Sequence, residues 1–71
     1  MKVHYYPETD SLYIELRDVP GAETRVIAEG LNVDLDAHGD VVGLDIDAAS
    51  RRLDLTTLET IALPLRNVRA A

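Results

Sequence analysis

Residues Leu31–Ile46, with the sequence LNVDLDAHGDVVGLDI, form the stretch that decides the fold. Apolar and polar residues alternate along both arms of this stretch, and a period of two predicts β-strands. Between the arms, residues 37–40 place Gly39 where a short hairpin loop requires a positive φ. The stretch therefore predicts a β-hairpin with one apolar face and one acidic face.

The same alternation predicts the register of the hairpin. If Asp36 pairs with Val41, apolar side chains face apolar side chains all along the ladder. A slip of one residue would set an apolar side chain against a polar one at every rung, so the register is well specified. The expected apolar pairs are Leu35–Val42, Val33–Leu44 and Leu31–Ile46.

Three more strands precede the hairpin, and turn residues separate them: Lys2–Tyr6, Ser11–Arg17 and Glu23–Ala28. We expect each strand to pair with the next one along the chain, which sets Ile14 against Val26 and Val26 against Val33. These registers also align a row of alternating charge on the outer face, formed by Lys2, Glu15, Arg25 and Asp34.

The apolar face of such a sheet needs a cover, and the C-terminal third is the only candidate in the sequence. Residues 47–50 are expected to leave the sheet through a short helical turn. Thr56 and Glu59 have the spacing of a capping box and Pro64 would end a helix, although an extended segment suits this composition too. The tail 66–71 is expected to fray. The apolar residues available for the lid are Leu53, Leu55, Leu58, Ile61, Leu63 and Leu65.

The sequence as a whole predicts an α+β fold in a single small β-rich domain, residues 1–71. Its architecture would be a five-stranded antiparallel β-meander with one apolar face covered by a short C-terminal helical segment. A chain of this size buries only about 60% of its unfolded surface on folding. A small core, or a partner that covers more of it, is therefore expected.

The composition limits the kinds of function that are open to the chain. There are no cysteines, which excludes disulfides, thiolate metal sites and cysteine nucleophiles. No apolar run is long enough for a signal peptide or a transmembrane helix, so we expect a cytoplasmic protein without a membrane partner. Thirteen acidic and seven basic residues give a net charge of −6, which would repel nucleic acid. A basic or neutral protein partner, or a cation, suits this charge better, although excess acid also keeps a small domain soluble.

The segment DLDAHGD resembles a shortened calcium loop. Asp34, Asp36 and Asp40 supply carboxylates, and Gly39 holds the sixth position, as glycine does in an EF-hand. The fifth position is His38, however, and the flanking elements are strands. A plain hairpin loop with acidic ends is the simpler interpretation, with no metal or cofactor expected. The alternative is weak metal binding, or a metal-dependent hydrolase that uses these three aspartates.

Four aspartates crowd the outer face of the predicted sheet: Asp34, Asp36, Asp45 and Asp47. Carboxylates that are held together raise one another's pKa and can act as acid–base pairs where water is kept away. On an open sheet face they are more often a solvated edge. No catalytic residue is therefore assigned.

The outer face is also expected to carry an amphipathic patch of His4, Tyr6, Tyr13 and Ile27. In the predicted registers His4 lies opposite Tyr13, and Tyr13 lies opposite Ile27. Aromatic side chains contribute contact area at low entropic cost, so the patch is the candidate surface for a protein partner or a second copy of the chain. Shielding by long neighbouring side chains is the alternative.

Three motifs together resemble a known family: YPETDSLYI at 6–14, VDLD at 33–36 with Gly39, and VGLDI at 42–46 with Ala49-Ser50. This combination, over about residues 5–52, is similar to the small bacterial family catalogued as domain of unknown function twenty-two eighty-three. The sequence departs from the family pattern at Pro7, which directly follows Tyr6 where an aspartate usually intervenes, and at Asp45, where glutamate is common.

The resemblance implies a small β-sheet protein with a C-terminal cover and no established activity or catalytic residue. Genes of the family sit in some genomes beside another short gene, which suggests an antitoxin-like partner in a two-gene module. Residues and resemblance together predict a small acidic, non-enzymatic module for protein interaction or oligomerisation. We expect it to act as a homodimer or with a protein partner.

Overall fold

The computed structural model describes residues 1–64. In chain order the elements are β1 Lys2–Tyr6, β2 Ser11–Glu15, β3 Glu23–Ala28, β4 Leu31–Leu35, β5 Val41–Ile46 and α1 Ala49–Arg52. The strands lie where the alternation of apolar and polar residues predicts them, with β2 ending two residues earlier than expected. They form one five-stranded antiparallel sheet. The expectation of an antiparallel sheet with a short helix on its C-terminal side is therefore confirmed, in a domain that is mostly β.

The strand order is β1-β2-β5-β4-β3, so the predicted meander is wrong. β2 pairs with β5, which sets Ile14 against Leu44 and Leu12 against Ile46. Ile14 does not meet Val26, because β3 lies at the far edge of the sheet. Strands β2 to β5 thus have the order of a Greek key: the long connection follows β2, and β5, the fourth of these strands, lies beside β2, the first.

The connection from β2 to β3, residues 16–22, makes this order possible. Three strand spacings separate the two strands, a distance of about 14 Å at about 4.8 Å per spacing. Seven residues, 16–22, can span roughly 23 Å, whereas hairpin loops between neighbouring strands usually contain about two to five. Near its end the connection is fixed to β4, where the Ala22 N–H donates to the Leu35 carbonyl at 2.7 Å.

Three of the four predicted pairings between consecutive strands are present: β1–β2, β3–β4 and β4–β5. The β1–β2 hairpin has the expected register at every rung. In the β4–β5 hairpin Val33 lies opposite Leu44, as predicted. Close to the loop a bulge places Leu35 opposite Val41, where strict alternation predicts Val42. Side-chain matching therefore identifies these neighbours correctly and misses the bulge.

A second bulge, in edge strand β3, changes which side chains share a face. Val26 lies opposite Asn32 instead of Val33, and Arg25 takes the position opposite Val33. Arg25 is therefore on the apolar face, and the predicted row of alternating charge through Asp34 is broken. Val26 is on the outer face, where it is 75% exposed.

The C-terminal part of the chain corrects the predicted cover. The short helical turn that leaves the sheet is confirmed by α1. The helix expected between Thr56 and Pro64 is wrong, since residues 53–64 contain no helix. A short helix needs a packed face to form, and β-branched threonine and isoleucine residues disfavour it further. The predicted lid residue Leu65 and the tail 66–71 lie outside the described residues. No helix in residues 1–64 has the length and apolar character to span a bilayer.

The core lies on one face of the sheet and is small. Its buried side chains are Leu12, Val33, Leu35, Val42 and Ala49. No large side chain within residues 1–64 is fully enclosed. At the β1 edge of the same face, Val3 and Tyr5 remain 48% and 44% exposed. A single sheet with a few covering residues therefore leaves part of its apolar face open.

Replacing Val42 with alanine tests where the core lies. Val42 is 2% exposed, so we expect the free energy of unfolding to fall by about 2 kcal/mol through lost burial and a residual cavity. The matched control, Val26→Ala, changes an exposed valine and should stay within about 0.5 kcal/mol. Urea unfolding gives both values, and equal losses would contradict this placement of the core.

Candidate functional site

The predicted partner-binding residues do not all come together. His4 lies opposite Tyr13 on the outer face, as expected, and the His4 and Tyr6 rings stack with centroids 6.2 Å apart. Ile27 is on β3, with β4 and β5 between it and β2. The expected juxtaposition of Tyr13 and Ile27 is therefore wrong. The aromatic group consists of His4, Tyr6 and Tyr13, and its role as a binding surface stays a prediction.

Tyr13 lies across the outer face of the sheet. Its hydroxyl donates to a carboxylate oxygen of Asp34 on β4, at 2.8 Å. The ring reaches β4 by passing over Gly43 on β5, and a β-carbon at position 43 would overlap the Tyr13 hydroxyl. The other oxygen of Asp34 accepts a hydrogen bond from the Thr24 hydroxyl on β3, at 2.7 Å. These four residues form a tyrosine bridge that links β2, β4 and β3 across β5.

Two groups on the outer face have raised pKa values, Tyr13 and Asp45. The hydrogen bond to Asp34, together with burial, raises the pKa of Tyr13 from 10.0 to about 12. Burial, with the nearby carboxylates of Asp47 and Asp34, raises the pKa of Asp45. At neutral pH Tyr13 is therefore a neutral donor that holds a carboxylate in place.

Asp36 organises the β4–β5 hairpin loop. Its side chain is buried, and one carboxylate oxygen accepts hydrogen bonds from the backbone N–H groups of His38, at 2.8 Å, and Asp40, at 3.0 Å. The bond from Asp40, with the bond from His38, lowers the pKa of Asp36 despite burial. Arg17 lies 3.8 Å from the other oxygen. Gly39 completes the turn with a φ of 85°. The loop thus uses Asp36 as an internal acceptor.

The aspartates considered for metal binding have separate roles. Asp34 accepts hydrogen bonds in the tyrosine bridge, Asp36 accepts loop amides, and Asp40 lies 3.9 Å from Arg17. In the part of the chain that the structure describes, no three Asp, Glu or His side chains are grouped so that they could hold a metal ion. The geometry therefore gives no support to the metal-dependent alternative.

A second set of contacts fixes α1 to the β1–β2 turn. Asp10, at a φ of 53°, accepts hydrogen bonds on its carboxylate from the Tyr5 hydroxyl at 2.8 Å and the Ser50 hydroxyl at 2.7 Å. The Ser50 backbone N–H also donates to this carboxylate, at 3.1 Å. The Asp10 carbonyl accepts the Ala49 N–H at 2.8 Å. These bonds, first from Ser50 and then from Tyr5, lower the pKa of Asp10. We call this set the aspartate clasp.

A groove runs along the apolar face beside β1. Its sheet side is lined by Val3, Tyr5 and Leu12, and its other side by residues 53–58. It has a volume of about 650 Å³, and its walls are mainly apolar. Residues 53–58 therefore lie where a lid was expected, but they leave the space beside β1 open.

The chain matches the family described as "Protein of unknown function (DUF2283)" over residues 2–50. The chain belongs to this family. The DUF2283 match includes the five strands and ends within α1, so the segment 53–64 lies beyond it. No curated protein and no solved structure matches the chain.

Residues of the three sequence motifs make several of the contacts between distant parts of the chain. Asp10 and Ser50 meet in the aspartate clasp, and Tyr13, Gly43 and Asp34 meet in the tyrosine bridge. Sequence reasoning missed both sets, because each depends on the pairing of β2 with β5. A glycine inside an alternating strand was the available signal for the bridge, since it often marks the close approach of another group.

Replacing Tyr13 with phenylalanine tests the tyrosine bridge. We expect the free energy of unfolding at neutral pH to fall by about 1 kcal/mol, because one part-buried hydrogen bond is lost. The pKa of Tyr13 is raised in the folded state, so the bond stabilises fully below pH 10 and is lost as the pH rises through about 12. Urea unfolding at several pH values should show that the free energies of unfolding of the natural chain and of Tyr13→Phe become equal as the pH rises through this range. A difference that is independent of pH would contradict the bridge.

Replacing Ser50 with alanine tests the aspartate clasp. Loss of the hydroxyl donor should loosen α1, so we expect several-fold faster hydrogen exchange at the Ala49 and Leu53 amides. The control is Ser11→Ala, whose hydroxyl makes only a 3.5 Å contact. The pKa of Asp10 is lowered in the folded protein from its ordinary value of 3.8. The clasp should therefore still protect these amides from exchange at pH 3.8, and this protection should disappear as the pH falls through the lower pKa of folded Asp10. Equal exchange in the two variants would exclude the clasp as the anchor of α1.

Proposed function

We propose that this protein is a non-enzymatic interaction module that binds another protein chain through the apolar face of its sheet. The observation that carries the proposal is the groove beside β1, where Val3 and Tyr5 stay about half exposed on the face that holds the core. Apolar side chains at the open edge of a core gain stability when a partner removes them from water. A homodimer, or a complex with a separate protein, would supply that cover.

The side chains that could carry chemistry support a binding role. The carboxylates of Asp10, Asp34 and Asp36 accept hydrogen bonds from the chain's own donors. The Tyr13 hydroxyl is held as a donor with a raised pKa. Each of these groups fixes a strand, a loop or α1, so the proposal gives them structural roles.

A basic protein is the second candidate partner, as in a two-gene module of the toxin–antitoxin kind. The net charge of −6 favours it, since opposite charge speeds encounter and rejects acidic competitors. The strands present Glu15, Asp34 and Asp45 on the outer face, opposite the core. A bacterial, cytoplasmic setting is part of this proposal.

A pair of substitutions on β1 tests which face binds. Val3 lies on the apolar face and in the groove, whereas the neighbouring His4 lies on the outer face with Tyr6 and Tyr13. We expect Val3→Glu to weaken association at least several-fold and His4→Glu to leave it nearly unchanged. Light scattering over a range of concentrations gives the mass in solution, and affinity capture from the native host shows a separate partner.

The two variants also separate the alternatives. If His4→Glu weakens association and Val3→Glu does not, binding uses the aromatic group and the proposed face is wrong. If the chain is a monomer at every concentration and captures no protein, the interaction role itself is wrong. Circular dichroism of both variants checks that the sheet is intact.

A further inference from the structure

The helix α1 depends on Asp10, a residue of the β1–β2 turn. A helix of four residues cannot offset the cost of its first turn by itself. Its N-cap, Ala48, has no side-chain acceptor for the free N–H groups at the helix start. These groups donate to Asp10 instead: the Ala49 N–H to the carbonyl at 2.8 Å, and the Ser50 N–H to the carboxylate at 3.1 Å. Asp10 therefore supplies the cap that α1 lacks in its own sequence.

The backbone is strained on both sides of this contact. Asp10 and Ala48 have φ values of 53° and 51°, in the left-handed region that disfavours residues with a β-carbon. Aspartate tolerates this region better than alanine does, because its short polar side chain can hydrogen-bond nearby. Strained residues persist only where the surrounding contacts hold them. The strain at Ala48 therefore favours release of α1 once the contacts with Asp10 are lost.

The carboxylate of Asp10 also connects the two walls of the groove. Tyr5 lines the groove on its sheet side, and its hydroxyl donates to one carboxylate oxygen at 2.8 Å. The Ser50 hydroxyl, on α1, donates to the other oxygen at 2.7 Å. Residues 53–58, which form the opposite wall, begin directly after α1. One carboxylate thus holds a side chain of one wall and the helix that leads into the other.

The other contacts of this region give α1 a point about which it can move. The Asp47 N–H donates to the Gly30 carbonyl at 2.9 Å, so the chain is fixed to the sheet just before the strained Ala48. At the end of α1, the exposed Arg52 side chain lies so close to Gly30 that a β-carbon there would overlap it. Hydrogen bonds to a carboxylate are stronger than such a packing contact of an exposed side chain. Ala48 is therefore the natural hinge, and Asp10 the stronger of the two anchors.

We infer that Asp10 is a latch for the groove: its carboxylate holds both walls, and when these bonds are lost α1 and residues 53–58 move away from the sheet about Ala48. The five strands stay paired, since Asp10 takes part in none of the strand registers. Opening is thus local, as for other elements with few buried contacts. As control of the binding face, the latch rests on the proposed function. As a motion of the isolated chain, it needs no partner.

Hydrogen exchange of an Asp10→Asn variant tests the latch. Asparagine tolerates the left-handed φ, but it removes the charge and replaces one acceptor oxygen with a donor. We expect the amides of Ala49, Ser50 and Leu53 to exchange roughly tenfold faster or more, because bonds to a charged acceptor are lost, with the amides of β4 and β5 unchanged. The control, Asp40→Asn, removes a carboxylate of the hairpin loop and should leave α1 unchanged. Unchanged exchange in α1, or equal acceleration in the strands, would overturn the latch.

Glycine substitutions test the hinge. Adding Ala48→Gly to Asp10→Asn should slow exchange in α1 several-fold, since glycine adopts a positive φ without steric cost. Ala62→Gly is the matched control, because Ala62 also has a left-handed φ, of 59°, but lies outside α1. If the two glycine variants have equal effects on α1, strain at Ala48 does not drive the opening and the hinge is wrong.

Binding of anilinonaphthalene sulfonate, a dye that fluoresces on exposed apolar surface, shows whether the groove opens. We expect several-fold higher fluorescence for Asp10→Asn than for the natural chain, and loss of this increase when Val3→Glu is added, because Val3 lines the groove. An increase that survives Val3→Glu would overturn opening of the groove. If the latch behaves as expected but Val3→Glu does not weaken association, the proposed function is wrong and the latch stands. If the chain associates through Val3 while Asp10→Asn leaves α1 unchanged, the latch alone is wrong.

Discussion

The pairing of β5 with both β2 and β4 is the constraint on which the rest of the structure depends. It joins the β1–β2 hairpin to the β3–β4–β5 unit and makes one continuous apolar face out of two partial ones. A hairpin alone is at best marginally stable in water, because it cannot bury a face. The rows across the junction, such as Ile14–Leu44–Val33, bring apolar side chains of the two units side by side on one face.

The tyrosine bridge and the aspartate clasp both reinforce this junction. Tyr13 crosses β5 at Gly43, which is possible only because no side chain stands there. The clasp lies where β2 begins and β5 ends, so it joins α1 to the turn before β2. The DUF2283 match, residues 2–50, contains both sets of contacts. The segment beyond the match, residues 53–64, holds Leu58 and Ile61, the two most exposed large apolar side chains of the described residues.

Local features of the fold could be predicted from the sequence, and non-local ones could not. Alternation places the strands, and the turns give the β1–β2 and β4–β5 hairpins. Matching side chains cannot choose a distant neighbour, because Ile14 suits Val26 as well as it suits Leu44. The length of the 16–22 connection was the signal against a meander. The bulge that moves Arg25 to the apolar face, and the unfilled groove, depend on packing that periodicity does not encode.

A single sheet is the centre of this protein: hydrogen bonds of its polar side chains hold the fold, and part of its apolar face stays open. The whole arrangement depends on the position of β5 between β2 and β4. Backbone proton contacts measured by NMR test this position most directly. We expect cross-strand contacts between Ile14 and Leu44 and between Tyr13 and Asp45, with none between β2 and β3. Contacts between Ile14 and Val26 would contradict it.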